Sequence, residues 1–433
     1  MDVYAGQQDV LAFGMLVALV NASFWLILAT AYGLPVSTTH TIIAAIVGFS
    51  LAANGWDSIM WGSCSKIFIS WVAAPAVTAT IGYLFFYLIR TFVLKSKNPF
   101  NRSAMTYSIT IFVTLTINIF FVMHKGLKKF KIGTGIKLII SFAASFVIAV
   151  VFQFGVVGWL KKRIVRLEGE MVAAEEKTKA IEEAKLVDQI ETDPTEEANS
   201  DTISEDKPEK KKSAFARLAD ATYNRDLEKE SLEIDQSAAD MWDEAEVYDP
   251  KAERLYSYLQ VFTACALSFA HGSNDVANAV APICAVLAIY DTGVLSSEAP
   301  VPQWVLVMGA IGIVIGLLCF GYKVIISIGY RLTKLSPSRG FCIQLSTTLV
   351  VVTASYIGLP VSTTQSTIGG TIGVGAVEGR GAVQWMFMLK VFFGWVGTFF
   401  VTCASSAAIM AFCYYSPSVH TMELIANATA IAA

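Results

Sequence analysis

Asp275 is the only acid in the apolar stretch 255–290, where it lies within FAHGSNDVANAVAP, residues 269–282. An ionisable group is costly inside a membrane segment, so a functional role is its default reading. Asn274, Asp275 and Asn278 stand at i, i+1 and i+4; the last two share a face of a helix. Gly272 and Ser273 are expected to let the chain open just before them. Carboxylate, amide, hydroxyl and freed backbone oxygens suit a hard cation such as Na+, and the same carboxylate would equally serve a proton. The competing reading is a polar pair that locks two helices together. His271 by itself reads as a hydrogen-bonded packing residue.

A second chemistry is written twice. GLPVSTT occupies 33–39 and again 358–364, so Ser37, Thr38 and Thr39 have counterparts in Ser362, Thr363 and Thr364. Proline removes a helix hydrogen bond, and hydroxyls offer polar groups where lipid offers none, so each copy is an opened backbone that must sit inside protein or beside water. Hydroxyls and N–H groups at the start of a short helix are ready donors for a tetrahedral anion. Neither triplet contains Arg or Lys. Lys66 and Lys390 follow further along, where snorkelling to the interface is the simpler role. A cation bound beside the anion would supply the missing positive field.

The copies continue in register. Lys66, Phe68, Trp71 and Val72 recur as Lys390, Phe392, Trp395 and Val396, with the offset changing from 325 at the first motif to 324 here. This is the mark of an internal duplication.

These motifs sit in a membrane body. The chain has 433 residues, 55% hydrophobic and 15% charged, and 26 of its 35 acids fall between 161 and 250. Elsewhere the sequence forms apolar runs at about 10–32, 62–89, 104–123, 135–160, 255–290, 302–330, 341–357 and 382–414. Most approach or exceed the roughly 20 residues that span a bilayer. Shorter pieces at 40–53 and 365–377 read as re-entrant half-membrane helices. The expected fold is an all-α polytopic membrane protein with broken helices, re-entrant hairpins and roughly eight to ten spanning segments. Its regions are a first membrane repeat over 1–160, an acidic and largely disordered loop over 161–250, a second membrane repeat over 251–415 and a tail over 416–433. The first apolar stretch reads as a mature span, since residues 1–9 lack a basic n-region. The seven cysteines show no pairing spacing and read as small buried hydrophobes. Nucleic acid is not an expected partner.

Basic residues near the segment ends give an orientation. Arg90, Lys95, Lys97 and Arg102, then Lys161, Lys162, Arg163 and Arg166, then Arg331, Lys334 and Arg339 mark three cytoplasmic loops. The loop with Lys125, Lys128, Lys129 and Lys131 dissents. On this scheme the two copies run in opposite directions, as inverted repeats suited to alternating access. The scheme also puts the tail outside, with its sequon at Asn427. The plasma membrane is the expected location.

Taken together, HGSNDVANAVAP and the paired GLPVSTTH and GLPVSTTQ motifs resemble the inorganic phosphate transporter family, the sodium- or proton-coupled phosphate symporters. The likeness covers roughly 10–160 and 250–415. It implies an inverted-repeat fold in which Asn274, Asp275 and Asn278 bind Na+ and help hold phosphate. It assigns the rest of the phosphate site to Ser37, Thr38, Thr39, Ser362, Thr363 and Thr364. Na+ is the implied coupling ion, with H+ as its alternative, and no cofactor is expected; a homo-oligomer is compatible with the reading.

Family members carry a second asparagine-aspartate motif early in the first repeat. Asp275 precedes Ser362 by 87 residues, so its counterpart would fall ahead of residue 1. The first repeat is therefore expected to be N-terminally incomplete, and a non-transporting interaction protein stands as the alternative function. A channel is disfavoured because two re-entrant segments suit rocking better than a fourfold pore. An enzyme is not expected: His271, Ser273 and Asp275 on one stretch of helix do not make a triad, and no Gly-x-Ser-x-Gly elbow is present.

Overall fold

The computed structural model describes residues 2–126, 132–191, 236–294 and 300–416, and every regular element in them is helical. In the first half α1 spans Gln8–Ala31, α2 Thr38–Asn54, α3 Trp61–Ile89, α4 Pro99–Phe121, α5 Thr134–Val151 and α6 Val157–Glu191. The second half holds α7 Gln236–Glu244, α8 Pro250–Thr292, α9 Gln303–Ile325, α10 Pro337–Ile357, α11 Thr363–Ala376 and α12 Trp385–Tyr414. Proline stands in the first turn of α4, α8 and α10, where its missing N–H costs nothing. Asn98 and Asp249 cap the first two by accepting from Asn101 N and Ala252 N.

Eight of these helices are long and apolar enough to cross a membrane, the lower end of the expected range. Their outward faces carry large apolar side chains such as Val20, Phe24, Phe146, Ile315 and Phe400, as lipid contact requires. Cys284 and Cys342 are buried as expected of small hydrophobes, whereas Cys265 and Cys413 lie on the exposed flank. The short helices are α2, with 17 residues, and α11, with 14. Each follows a break at its GLPVS motif. Gly33 and Gly358 adopt φ of 67° and 76°, a left-handed turn that ends the preceding helix. Leu34 N then bonds back to Ala29 O, and Leu359 N to Ala354 O, both at 2.9 Å.

Each short helix packs against the long helix that follows the other motif: α2 on α12, and α11 on α3. The contacts repeat at the duplication offset. A Cβ on Gly48 would collide with the Cys403 carbonyl, and one on Gly373 with the Ala79 carbonyl. Ser406 Oγ donates to Ala45 O at 2.8 Å, where the matching Gly82 lies against Gly370 O. Backbones this close require glycine or other small residues.

The expected opening at Gly272 and Ser273 does not occur, because α8 runs unbroken from 250 to 292 through both and through Pro282. Ser273 Oγ donates to Ala270 O within the helix, and Gly272 faces open space. The breaks of this fold are confined to the two GLPVS motifs and the loops.

Of the insert expected over 161–250, both ends are built. Residues 161–191 continue α6, and 236–249 lie against the bundle; 192–235, the Asn427 sequon and most of the Lys125–Lys131 loop lie outside the described residues. The 236–249 segment is held by charge. Arg90 donates to both Glu246 carboxylate oxygens at 2.9 and 2.5 Å, with Lys95 at 2.8 Å. Tyr248 OH bridges Glu246 and Glu378, and Glu378 takes a fork of bonds from the buried Arg339. The Arg90 hydrogen bonds, helped by Lys95 and Tyr248, hold the Glu246 carboxyl down at about 2, against its usual 4.5.

A depressed carboxyl stabilises the folded arrangement fully above its usual value, and that contribution fades as pH falls through 4.5 toward 2. Glu246 is partly exposed, so its ion pairs are worth about 1 kcal/mol. Glu246→Ala should speed amide hydrogen exchange across 236–249 roughly fivefold, and acidifying the parent through this window should lower the protection factors of the same segment, taken relative to the intrinsic exchange rate at each pH. A second expectation concerns packing: Gly373→Ala should destabilise the protein by about 1–3 kcal/mol in detergent melts. Gly272→Ala should be neutral or stabilising by about 0.5–1 kcal/mol.

Candidate functional site

The site is assembled where α8 passes between the N-termini of α2 and α11. Ser37 and Ser362, both buried, cap those helices by accepting from His40 N at 3.3 Å and Gln365 N at 3.2 Å. Their role in this geometry is therefore to start the two helices. The freed carbonyls of the breaks find donors from other elements. Trp395 Nε1 donates to Pro35 O at 2.9 Å, and Ser70 Oγ to Pro360 O at 2.9 Å. Thr39 Oγ1 and Asn274 Nδ2 converge on Val361 O at 3.4 and 3.1 Å. Thr39 thus joins the two motifs directly.

Asp275 lies at the centre, 7% exposed. Its Oδ2 accepts from Thr363 Oγ1 at 2.8 Å and is also in contact with His271 Nε2. Its Oδ1 accepts from Asn274 Nδ2 at 3.0 Å and Asn278 Nδ2 at 3.3 Å. Asn278 Nδ2 also reaches Thr38 Oγ1 and Thr39 Oγ1, each at 3.2 Å. Asp275 therefore bonds to the α11 N-terminus, while its helix neighbour Asn278 bonds to that of α2. Both helix ends turn the positive pole of their dipoles and unsatisfied N–H groups toward this region.

Six of the nine residues anticipated from sequence are joined in this one network, and Ser37 and Ser362 cap the two helices that reach it. The ninth, Thr364, is half-buried at its margin, its hydroxyl outside the hydrogen-bond network among the described residues. Lys66 and Lys390 are exposed and stand apart, in keeping with interfacial snorkelling. The sequence reading missed three participants. His271, read from sequence as a hydrogen-bonded packing residue, abuts the Asp275 carboxylate, and its position i−4 from Asp275 on a continuous helix was the available signal. His40 and Gln365 follow the two triplets at matching positions. Both are buried, and the two side chains interact with each other across the site. The His40 ring lies against Trp71 with centroids 3.6 Å apart.

The donor set is one carboxylate, two amides, three threonine hydroxyls and a carbonyl, with no cluster of three His, Cys, Asp or Glu among the described residues. Such hard oxygens fit an alkali cation and not a soft transition metal. In the present geometry both amides turn Nδ2 toward Asp275; rotating either one by half a turn would present its oxygen instead.

Comparisons with known proteins bear on this arrangement. The profile of the "Phosphate transporter family" matches residues 1–406. The inorganic phosphate transporter 2-1, chloroplastic, of Arabidopsis thaliana is 32% identical over 400 residues, covering 92% of this chain and 58% of that protein. Sodium-dependent phosphate transporter 1-A of Danio rerio is 28% identical over 550 residues, covering 96% of this chain and 84% of the relative. A solved structure described as the sodium-dependent phosphate transporter superposes with a TM-score of 0.69 at 28% identity, over 95% of this chain and 81% of its own. These relatives are named as transporters, not enzymes. With matching helical architecture and a profile match that runs through both GLPVSTT motifs and the Asp275 segment, this chain belongs to the phosphate transporter family.

Proposed function

We propose that this chain is a secondary active transporter that carries inorganic phosphate across the membrane together with Na+. The observation that carries the reading is the bonding of α8 to both helix N-termini, through Asp275–Thr363 and through Asn278–Thr38 and Asn278–Thr39. Na+ would replace amide N–H groups as the partner of the Asp275 carboxylate once Asn274 or Asn278 turns its oxygen inward. The cation then offsets the charge of an incoming oxyanion in a place where no Arg or Lys enters the network. Phosphate would take its hydrogen bonds from the N–H groups and hydroxyls at the starts of α2 and α11.

The exchanged packing of α2 on α12 and α11 on α3 supports inverted repeats, with alternating access arising from movement of one packed unit against the other. Basic residues of two of the three loops gather on the side that receives 236–249: Arg90 and Lys95 meet Glu246, Lys334 meets Trp242, and Arg339 meets Glu378. By the positive-inside rule that side is cytoplasmic. Proton coupling is the second reading, favoured by the contact between His271 and the Asp275 carboxylate.

The test is uptake into vesicles containing the purified full-length chain. Asp275→Asn should abolish Na+-driven uptake in protein that still inserts, with a melting temperature lowered by the lost carboxylate bonds; unaltered uptake would remove Asp275 from the mechanism. Thr363→Val removes a hydroxyl worth about 0.5–1.5 kcal/mol, so phosphate KM should rise about two- to tenfold. An unchanged KM would confine the triplet to helix packing. Uptake driven by a proton gradient without Na+ would select the second reading.

A further inference from the structure

A groove of about 280 Å³ opens on the flank of the protein between α4, the α5–α6 rod and α8, well away from Asp275. Its walls are apolar, with Ile111, Phe152 and Val156 among them. Phe152 and Val156 begin and end a π-helical turn, Phe152–Val156, that widens the rod at this level. Gly155 and Gly158 beside it face open space. The rim is of another kind. Tyr258, Trp159 and Arg163 line the mouth, and Trp159 is 54% exposed. Tyr258 lies near the start of α8 and Arg163 lies where α6 leaves its apolar stretch, so the mouth is at the level of the bilayer surface on the side of the 161–250 insert. An aromatic and basic mouth above an apolar channel is the chemistry of a phospholipid seat.

The charges around the mouth point to one class of lipid. Arg163 holds its guanidinium 5.1 Å from the Trp159 ring centroid, a stacking that leaves the N–H edges available. The nearby acids are already engaged: Glu168 by Lys251 at 3.1 Å, and Glu170 by Arg166 at 3.8 Å. Lys161 is spent on Asn101 Oδ1. Among the described residues no carboxylate pairs with Arg163 or with its exposed neighbour Lys162. A zwitterionic headgroup would place its own ammonium against this cluster, whereas a phosphodiester with no cation of its own meets the guanidinium edge directly.

We infer that the groove is a binding site for an anionic membrane phospholipid, with an acyl chain along Ile111, Phe152 and Val156 and the headgroup phosphate on Arg163. The occupant is a bilayer lipid and not free phosphate, because apart from Tyr107 the walls below the rim are lined by apolar side chains such as Ile111, Phe152, Val156 and Phe262. Such a lipid would wedge α4 and α6 against α8, the helix that carries Asp275.

The experiment uses the full chain in phosphatidylcholine vesicles doped with either brominated phosphatidylglycerol or brominated phosphatidylcholine. Bromine quenches tryptophan on contact, and the signal of Trp159 is the difference between the parent and Trp159→Phe. The brominated anionic lipid should half-quench Trp159 at about one-fifth the mole fraction needed for the zwitterionic one, and 1 M salt should shrink that preference. Arg163→Gln, a change at an exposed position, should make the two lipids equivalent while both still quench. Equal quenching in the parent, or an anionic preference that survives in Arg163→Gln, would overturn the assignment.

Discussion

A single carboxylate, Asp275, holds the centre of this protein together. It is buried in an apolar body, and within its hydrogen-bonding shell it meets amides, a hydroxyl and His271, with no Arg or Lys. A charge so placed is tolerated only if its lone pairs are filled, and here four donors from α8 and α11 fill them. The Thr363 bond fixes α8 against the second break, and Asn278, which also donates to Asp275, fixes it against the first through Thr38 and Thr39. The chain thus spends its most expensive group on holding three elements in register, and the group that fixes the register is the one best able to exchange its partners for a cation.

The rest of the architecture makes this contact sustainable. Two broken segments would leave unpaired carbonyls at membrane depth, and each is answered by a donor from a distant part of the sequence: Trp395 for Pro35, Ser70 for Pro360, Ser327 for Gly33. Those donors arrive because α2 and α11 press closely on the long helix of the opposite half, with Gly48 and Gly373 against bare backbone. At the far end of α11, the buried Arg339–Glu378 pair and the Glu246 cluster fasten 236–249 across the ends of α3 and α10. Glycine contacts, capping serines and buried ion pairs all serve to keep two helix starts aimed at one residue.

Much of this was legible in the residues themselves. The duplicated GLPVSTT announced two breaks because Gly, Pro and three hydroxyls have one economical use in an apolar chain. A lone acid announced Asp275. Apolar run lengths gave the eight crossing helices. Less legible was everything that depends on which side chain meets which. Gly272 and Ser273 looked like a break, yet a helix whose polar demand is met by its own side chains has no reason to open, and α8 stays whole. His271 reads from sequence as a hydrogen-bonded packing residue, but that its partner is Asp275, one turn on, is visible only once that continuity is known. The acidic composition of 161–250 gave no hint that Trp242, Glu246 and Tyr248 would dock, since that depends on Arg90, Lys95 and Arg339 arriving at the same face from elsewhere. The bond from Thr39 to Val361 spans the duplication, and no local pattern encodes it.

If cation and oxyanion share the space around Asp275, their affinities must be linked, each raising the other by one and the same factor. Equilibrium binding on the purified chain, with radiolabelled phosphate titrated in Na+ and in choline and Na+ titrated with and without phosphate, measures that factor from both sides without requiring turnover. The account predicts tighter phosphate binding in Na+ and an equal gain for Na+ in phosphate. Phosphate affinity indifferent to Na+, or to any other small cation including H+, would contradict it.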